Sequence, residues 1–337
     1  MVMNTTTIGI DLAKSVFQVS VANQAGRIVA RKRFSRTQFD RFLANHEPAA
    51  LVMETCSSAH YWARKARSLG HEPRLLHAPY VRPYVRRNKT DAADADALVR
   101  ASFDPDLKPV PIKHEDQQAL QGLHRIRSQW DKTRKQRINL VRGLLAEFGL
   151  TSRVGTTQLA SRLRQQTEQI PETLRHALLP VIEEITDLEQ RIKQLEVQLK
   201  EITSTEPTVQ RLMTIPGVGL MTATAMVASV PDIHGFDRGR QFSAWLGITP
   251  REFSSGSTRR LGKITKKGDP YLRTLLIHGA RAALLAAART KQPTQLQQWA
   301  LELKQRSGHN IAAVALANKM ARIIWCVWTR EENYERR

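Results

Sequence analysis

The sequence predicts an α/β domain followed by two all-α regions. Three observations predict this. Short β-rich runs crowd the front of the chain, a long heptad seam occupies the middle, and the last third reads as helices broken by a glycine- and serine-rich basic loop. We place the boundaries at 1–110, 111–205 and 206–337.

The first region opens with three β-rich runs, Thr6–Asp11, Val16–Ala22 and Arg27–Phe34. Asn23–Gly26 supplies a turn, so the three runs predict an antiparallel meander. A helix over Thr37–His46, a strand over Ala50–Glu54, a helix over Ala59–Leu69 and a strand over Pro73–His77 follow. A block of strands that goes over to alternating strands and helices predicts one mixed sheet flanked by helices. A helix over Asp91–Ala101 closes the region.

In the middle region, Leu178, Val181, Ile185, Leu188, Ile192, Leu195, Leu199 and Ile202 recur at spacings of three and four. That is a coiled-coil seam, and it needs a partner helix. The basic helix Gln117–Phe148 folding back and the same helix of a second subunit are equal candidates. Pro171 and Pro180 mark a helix start or a kink. Beyond residue 206 we expect helices over Leu220–Val230 and from near Arg240. A loop over Thr249–Gly268 follows, then helix from Pro270 to Trp328 with a break near Ser307–Asn310.

The chain has 337 residues, 52 Lys or Arg against 31 Asp or Glu, a net charge of +21, and 41% hydrophobic residues. Real cores can form, and the excess of bases calls for a polyanionic partner, nucleic acid first and an anionic membrane surface second. The basic excess is greatest after residue 206, with 20 basic and 9 acidic side chains. The sequence predicts no membrane span and no signal peptide. Cys56 and Cys326 are far apart, which argues against a disulfide framework or zinc site. The expected setting is the bacterial cytoplasm, at the nucleoid when acting.

Four acids draw attention by placement. Asp11 ends the first predicted strand and Glu54 the fourth, each after an apolar run. Asp91 and Asp94 lie three apart, hence on one helix face. A lone strand-end Asp is ordinarily a turn residue, and Asp91 after Thr90 suits a helix N-terminus. Clustered carboxylates, however, repel unless a cation sits among them, and an all-oxygen set suits Mg²⁺ or Mn²⁺. Asp96 falls on another helix face and ranks below Asp94. The order strand-end Asp, strand-end Glu, helix Asp-x-x-Asp resembles the DEDD arrangement of RuvC-like, RNase-H-fold nucleases. The segments Asp11-Leu12-Ala13-Lys14-Ser15-Val16-Phe17-Gln18-Val19 and Lys89-Thr90-Asp91-Ala92-Ala93-Asp94-Ala95 resemble the N-terminal motifs of DEDD transposases of the insertion-sequence-110 family. Tyr80-Val81-Arg82-Pro83-Tyr84-Val85 resembles its 1111 subgroup. The same family includes Piv-type DNA invertases.

The strongest basic cluster comprises Arg251, Arg259, Arg260, Lys263, Lys266, Lys267 and Arg273, and it encloses Ser254-Ser255-Gly256-Ser257-Thr258. Hydroxyls in such a loop either hold phosphate or attack it; composition alone favours holding. Trp245-Leu246-Gly247-Ile248-Thr249-Pro250, the Ser255-Gly256 pair, Arg260 to Asp269 and Tyr271-Leu272-Arg273 resemble the C-terminal domain of the same transposases. Asn318-Lys319-Met320-Ala321-Arg322-Ile323 fits their last helix. The resemblance covers Ile8 to about Trp328. It implies that Asp11, Glu54, Asp91 and Asp94 bind the metal and that Ser255 is the nucleophile, with Ser254 and Ser257 as alternatives. It also implies a phosphoserine link to DNA, with the carboxylates supplied by another subunit of a homodimer or homotetramer. An element-encoded bridge RNA would pair with donor and target DNA. The chain departs from the family's usual Gly and aromatic residue after the catalytic Glu, where it has Thr55-Cys56-Ser57-Ser58-Ala59-His60-Tyr61, and in having Glu252.

Two further segments are candidate nucleic-acid contacts. Arg82, Arg86, Arg87 and Lys89, interleaved with Tyr80 and Tyr84, precede the Asp pair; a solvated loop is the plainer reading. Ile215-Pro216-Gly217-Val218-Gly219 before a helix looks like a helix-hairpin-helix turn. There Gly217 and Gly219 would let backbone N–H groups reach a phosphate. A plain turn between packed helices is as good a reading.

Overall fold

A computed structural model describes residues 6–86, 90–151 and 159–335. The chain divides into two compact units, 1–114 and 115–337.

The first unit is a five-stranded mixed sheet with helices. Its strands are β1 (Thr7–Leu12), β2 (Val16–Ala22), β3 (Ile28–Ser35), β4 (Ala50–Glu54) and β5 (Glu72–Leu76), in the order β3-β2-β1-β4-β5. The first three form the expected antiparallel meander, while β4 pairs parallel to β1 and β5 parallel to β4. Helices α1 (Arg36–Asn45) and α2 (Ala59–Ser68) supply the connections. Ser35 starts α1 through a capping box with Gln38. Alternation along the strands sends Ile8, Ile10, Leu51 and Met53 into one core with Phe17, Phe39 and Trp62. The opposite face carries Val52 and Leu76, packed against Ala97, Leu98 and Ala101 of α4 (Asp91–Ala101). The short helix α3 (Ala78–Val81) and a 3₁₀ turn at Arg82–Tyr84 precede α4.

In the second unit, α5 (Glu115–Ala146) and α7 (Glu172–Ile202) lie antiparallel, with α6 (Leu159–Thr167) beside them. The direction follows from cross-links: Arg127 pairs with Glu196, Arg134 with Glu189 and Arg137 with Glu184. The seam of α7 is therefore partnered within the chain, and Leu178, Ile185, Leu188, Ile192, Leu195 and Leu199 are buried as expected. Ile182 is buried where the pattern pointed to Val181, and Ile202 is exposed. Pro171 caps α7, but Pro180 lies inside it; burial of Leu178 and Ile182 on either side offsets the amide hydrogen bond lost there.

The remaining helices are α8 (Pro207–Met213), α9 (Leu220–Ser229), α10 (Gly239–Trp245), α11 (Pro270–Ala287), α12 (Gln295–Ser307) and α13 (His309–Arg330). The expected boundary at 205/206 does not separate compact units. His124 of α5 bonds to Thr224 of α9 and to the Tyr271 hydroxyl of α11, and Gln117 donates to the Val227 and Val230 carbonyls. Polar ties of this kind bind α5 to the C-terminal helices.

Two local expectations are corrected. The segment from Pro270 breaks after Ala287 as well as at Gly308, because Thr294 and Gln297 form a capping box that starts α12 afresh. A stretch of membrane-spanning length does occur: α13 is long and apolar enough by length and composition. Its apolar side chains Ala312, Leu316, Met320, Ile324 and Val327 are core residues of this unit, packed with Phe242 and Leu276.

Candidate active site

Asp11 and Glu54 come together through strand register. Ile10 pairs with Met53 across the parallel β1–β4 ladder, so Asp11 and Glu54 follow side by side where the two strands leave the core. Adjacent strands lie about 4.8 Å apart. Alternation places both side chains opposite Ile10 and Met53, on the face that α4 covers. Both are half-buried.

A glycine brings α4 onto that face. A Cβ on Gly9 would stand 2.3 Å from the Ala95 carbonyl oxygen and 2.8 Å from a Val99 methyl group. Phe103, just past α4, lies against Gly26 in the β2–β3 turn, beside the start of β1, where Thr7 pairs with Ala22. The helix therefore runs back along β1, and its first turn, with Asp91 and Asp94, falls at the end of the sheet where Asp11 and Glu54 stand. Thr90 fixes that start by accepting a hydrogen bond from the Ala93 amide. Asp91 is exposed and Asp94 half-buried.

Asp96 has a different task. Its carboxylate accepts hydrogen bonds from Ser20 at 2.7 Å and from Arg31 at 2.8 and 3.2 Å, with Arg100 also in range. Burial pushes its pKa up, but the bonds from Arg31 and Ser20 and the charges of Arg31 and Arg100 outweigh burial and hold it below the ordinary value. It clamps α4 to β2 and β3.

The donor set at the strand ends consists of carboxylate oxygens, which fits a hard divalent cation such as Mg²⁺ or Mn²⁺. Among the described residues, no three His, Cys, Asp or Glu side chains are grouped so that they could hold a metal ion. Cys56 is a further neighbour of this site. Its thiol is pushed up by burial and then by the negative charges of Glu54 and Asp11; its position two residues after Glu54 was the available signal.

The serine segment is a β-hairpin rather than a loop: β6 (Pro250–Glu252) pairs with β7 (Leu261–Ile264). Its base is closed by a glycine crossing. Gly247, at φ +71°, would place a Cβ 2.6 Å from the Gly268 amide, and a Cβ on Gly268 would stand 2.1 Å from the Trp245 carbonyl. At the tip, the Ser255 and Thr258 backbones bond to each other around Gly256, at φ +56°. Ser254 is occupied: its hydroxyl donates to Glu252 at 2.7 Å and accepts from the Arg260 amide at 3.1 Å. Among the described residues, no partner holds the Ser255 or Ser257 hydroxyl. Arg251, Ser257, Arg259, Arg260, Lys263, Lys266 and Lys267 are exposed around it. Arg259 lies 3.6 Å from Glu252. Arg273 instead turns inward, donating to the Leu246 and Gly268 carbonyls at 3.2 and 3.1 Å, so it braces the base of the hairpin.

Of the other candidates, Arg82 and Arg86 are exposed ahead of α4. Arg87 and Lys89 lie outside the described residues. The two glycines before α9 differ. Gly217, at φ +87°, is pressed against α11, with a Cβ 2.5 Å from the Gly279 carbonyl, whereas Gly219 is open at the N-terminus of α9. Gly217 thus serves helix packing.

Comparison with known proteins resolves what these two centres belong to. Residues 8–149 match a transposase family model of the DEDD type, and residues 209–297 match the model described as "Transposase IS116/IS110/IS902 family". A Pseudomonas aeruginosa protein named "Probable family 20 transposase" is 42% identical over 98% of this chain and 99% of its own length. The chain belongs to the IS110/IS116/IS902 transposase family. A second relative of this transposase, the "Transposase for insertion sequence element IS1111A" of Coxiella burnetii, is 38% identical over 97% of the chain and 90% of its own length. At greater distance, the "Pilin gene-inverting protein" of Moraxella bovis is 25% identical over 81% of each chain. The mixed five-stranded sheet is consistent with the RNase-H-like domain of a DEDD transposase. The enzyme is thus an insertion-sequence transposase that acts on DNA.

Proposed function

We propose that this transposase cuts and rejoins DNA through a phosphoserine link formed by Ser255. The reading is carried by the contrast at the hairpin tip, where Ser254 is tied to Glu252 and the Arg260 amide while the exposed Ser255 hydroxyl has no partner among the described residues. In the reaction the Ser255 oxygen bonds to phosphorus as one bridging phosphorus–oxygen bond breaks. The proton lost by serine balances the one gained by the departing sugar oxygen. Attack by a sugar hydroxyl of another strand reverses the exchange and frees the serine, so the number of phosphodiester bonds is conserved. Arg251, Arg259, Arg260, Lys263, Lys266 and Lys267 would hold the strand, with Arg82, Arg86 and the Gly219 turn as further contacts.

Asp11, Glu54, Asp91 and Asp94 would hold Mg²⁺ or Mn²⁺, and a divalent ion there supplies polarisation of the phosphodiester. The carboxylates and the serine would come from different subunits of a homodimer or homotetramer. Sequence choice would rest with a bridge RNA, the protein holding backbone; this accords with a net charge of +21 and with the absence of any recognisable base-reading helix-turn-helix or zinc finger in the sequence.

The test is a purified reaction with donor and target DNA, Mg²⁺, and the element's noncoding RNA present or omitted. Strand transfer that needs the RNA and passes through a protein-linked DNA species is expected. Free cut ends with no protein-linked species would replace this reading with a water-attacking, junction-resolvase-type nuclease.

A further inference from the structure

The two faces of the serine hairpin differ. Glu252 pairs with Leu261, the Phe253 amide donates to the Arg260 carbonyl, and Ser255 and Thr258 exchange backbone bonds, so one register runs from β6 to the tip. Side chains along such a register alternate between faces. Glu252, Ser254 and Arg259 share one face, where Glu252 already holds the other two. Arg251, Phe253 and Ser255 share the opposite face, with Arg260 and Gly262 across from them. A Cβ on Gly262 would stand 2.8 Å from the Phe253 ring and 3.8 Å from the Arg251 Cβ, which puts both on that face.

Phe253 is 60% exposed, and among the described residues no cation and no second ring lies over it. Gly262 seats the ring against β7, so little freedom is left to lose when something covers it. The hairpin from Pro250 to Lys267 carries six basic side chains and one acidic. That balance selects part of a polyanion over an apolar protein surface as the cover, and an aromatic ring in a basic setting suits a nucleobase. Ser255 lies two residues on, about 6.8 Å along the strand, the scale of a single nucleotide.

We propose that Phe253 stacks on the nucleobase beside the phosphate that Ser255 attacks, in the DNA strand to be cut, and so sets that phosphate against the serine. Phe253 is then a positioning residue, and the inference rests on the proposed role of Ser255.

Two measurements on the full-length protein, with donor DNA and the element's noncoding RNA present, test it. In the first, 5-iododeoxyuridine replaces in turn each nucleotide flanking the phosphate that the wild type cuts. The DNA is photocrosslinked to Ser255→Ala protein and mapped by mass spectrometry, so the base contact is read whether or not that hydroxyl attacks. A crosslink at Phe253 from the nucleotide on one side of the phosphate is expected. In the second, anisotropy titrations compare intact donor with donor carrying an abasic site at that nucleotide. Phe253→Leu, which keeps an apolar cover on Gly262, should weaken binding of intact donor about tenfold. The slope of log affinity against log salt should not change, because a ring releases no counterions. The same variant should bind the abasic donor as the wild type does, and Phe253→Trp should retain binding of intact donor. Crosslinks confined to other residues, or a Phe253→Leu loss equal on intact and abasic donor, would overturn the proposal and leave Phe253 a role in hairpin packing alone. A Phe253 crosslink from iodouridine in the RNA, with none from the DNA, would overturn the assignment to DNA. Failure of the Ser255 reading shows separately, as a protein–DNA link that is absent or lies on another residue.

Discussion

Gly9 on β1 and Ala95 on α4 approach so closely that a Cβ on the glycine would stand 2.3 Å from the Ala95 carbonyl oxygen. The contact sets how near the Asp91–Asp94 turn comes to Asp11 and Glu54. Gly9→Ala must push α4 off the sheet, with overpacking costing about 1–3 kcal/mol. A displacement of the acids on the order of 1 Å should cut DNA cleavage on the order of 100-fold. Thermal unfolding and cleavage rates measured together check this; wild-type activity would show that the helix position is not critical.

Asp96 should matter for stability and not for chemistry. Asp96→Asn weakens the bonds from Arg31 and Ser20 and should cost about 1–3 kcal/mol. Because its pKa lies below the ordinary carboxylate value in the fold, its contribution is complete at neutral pH. It is lost as the pH falls from near 4 through the lower folded pKa. Denaturant titrations should therefore show a shallower acid loss in the variant, and residual cleavage by the folded fraction should match wild type.

His124 gives a second pH-dependent term. Burial, and then the charge of Arg127, lowers its pKa from 6.5 to about 4. Below 6.5 the unfolded state gains a proton that the folded state refuses until about 4. Stability is therefore complete above 6.5 and falls as the pH drops through that window. Between pH 7 and 5 the wild type should lose about 2 kcal/mol more than His124→Gln, as read by urea unfolding at the two pH values.

Metal binding by the carboxylates has a readout apart from activity. Mg²⁺ should raise the melting temperature of the wild type and leave Asp11→Asn and Asp91→Asn unmoved, since each variant removes a donor. A chelator should abolish cleavage, and added Mg²⁺ or Mn²⁺ should restore it. An equal thermal shift in all three proteins would place the ion elsewhere.

Much of this was legible from local pattern. The short β-rich runs located β1, β2 and β4, and the apolar runs of β1 and β4 drew attention to Asp11 and Glu54 after them. That Arg31 and Ser20 hold Asp96 was not legible, because both partners lie on distant strands. What sequence could not supply was contact between distant segments. Glu252 and Arg260 distinguish Ser254 from Ser255 only once the hairpin pairs them. Gly217 and Arg273 look like phosphate ligands until Gly279 and the Leu246 carbonyl are seen against them. The seam of α7 could equally have served a second subunit, and the ion pairs to α5 decide for an internal partner.

The most direct test of the account is the chemical identity of the protein–DNA link. Digestion of the trapped complex followed by mass spectrometry should find one phosphorylated nucleotide remnant, on Ser255. Ser254→Ala should still form the adduct and Ser255→Ala should not. An adduct on another residue, or one that survives Ser255→Ala, would contradict the account.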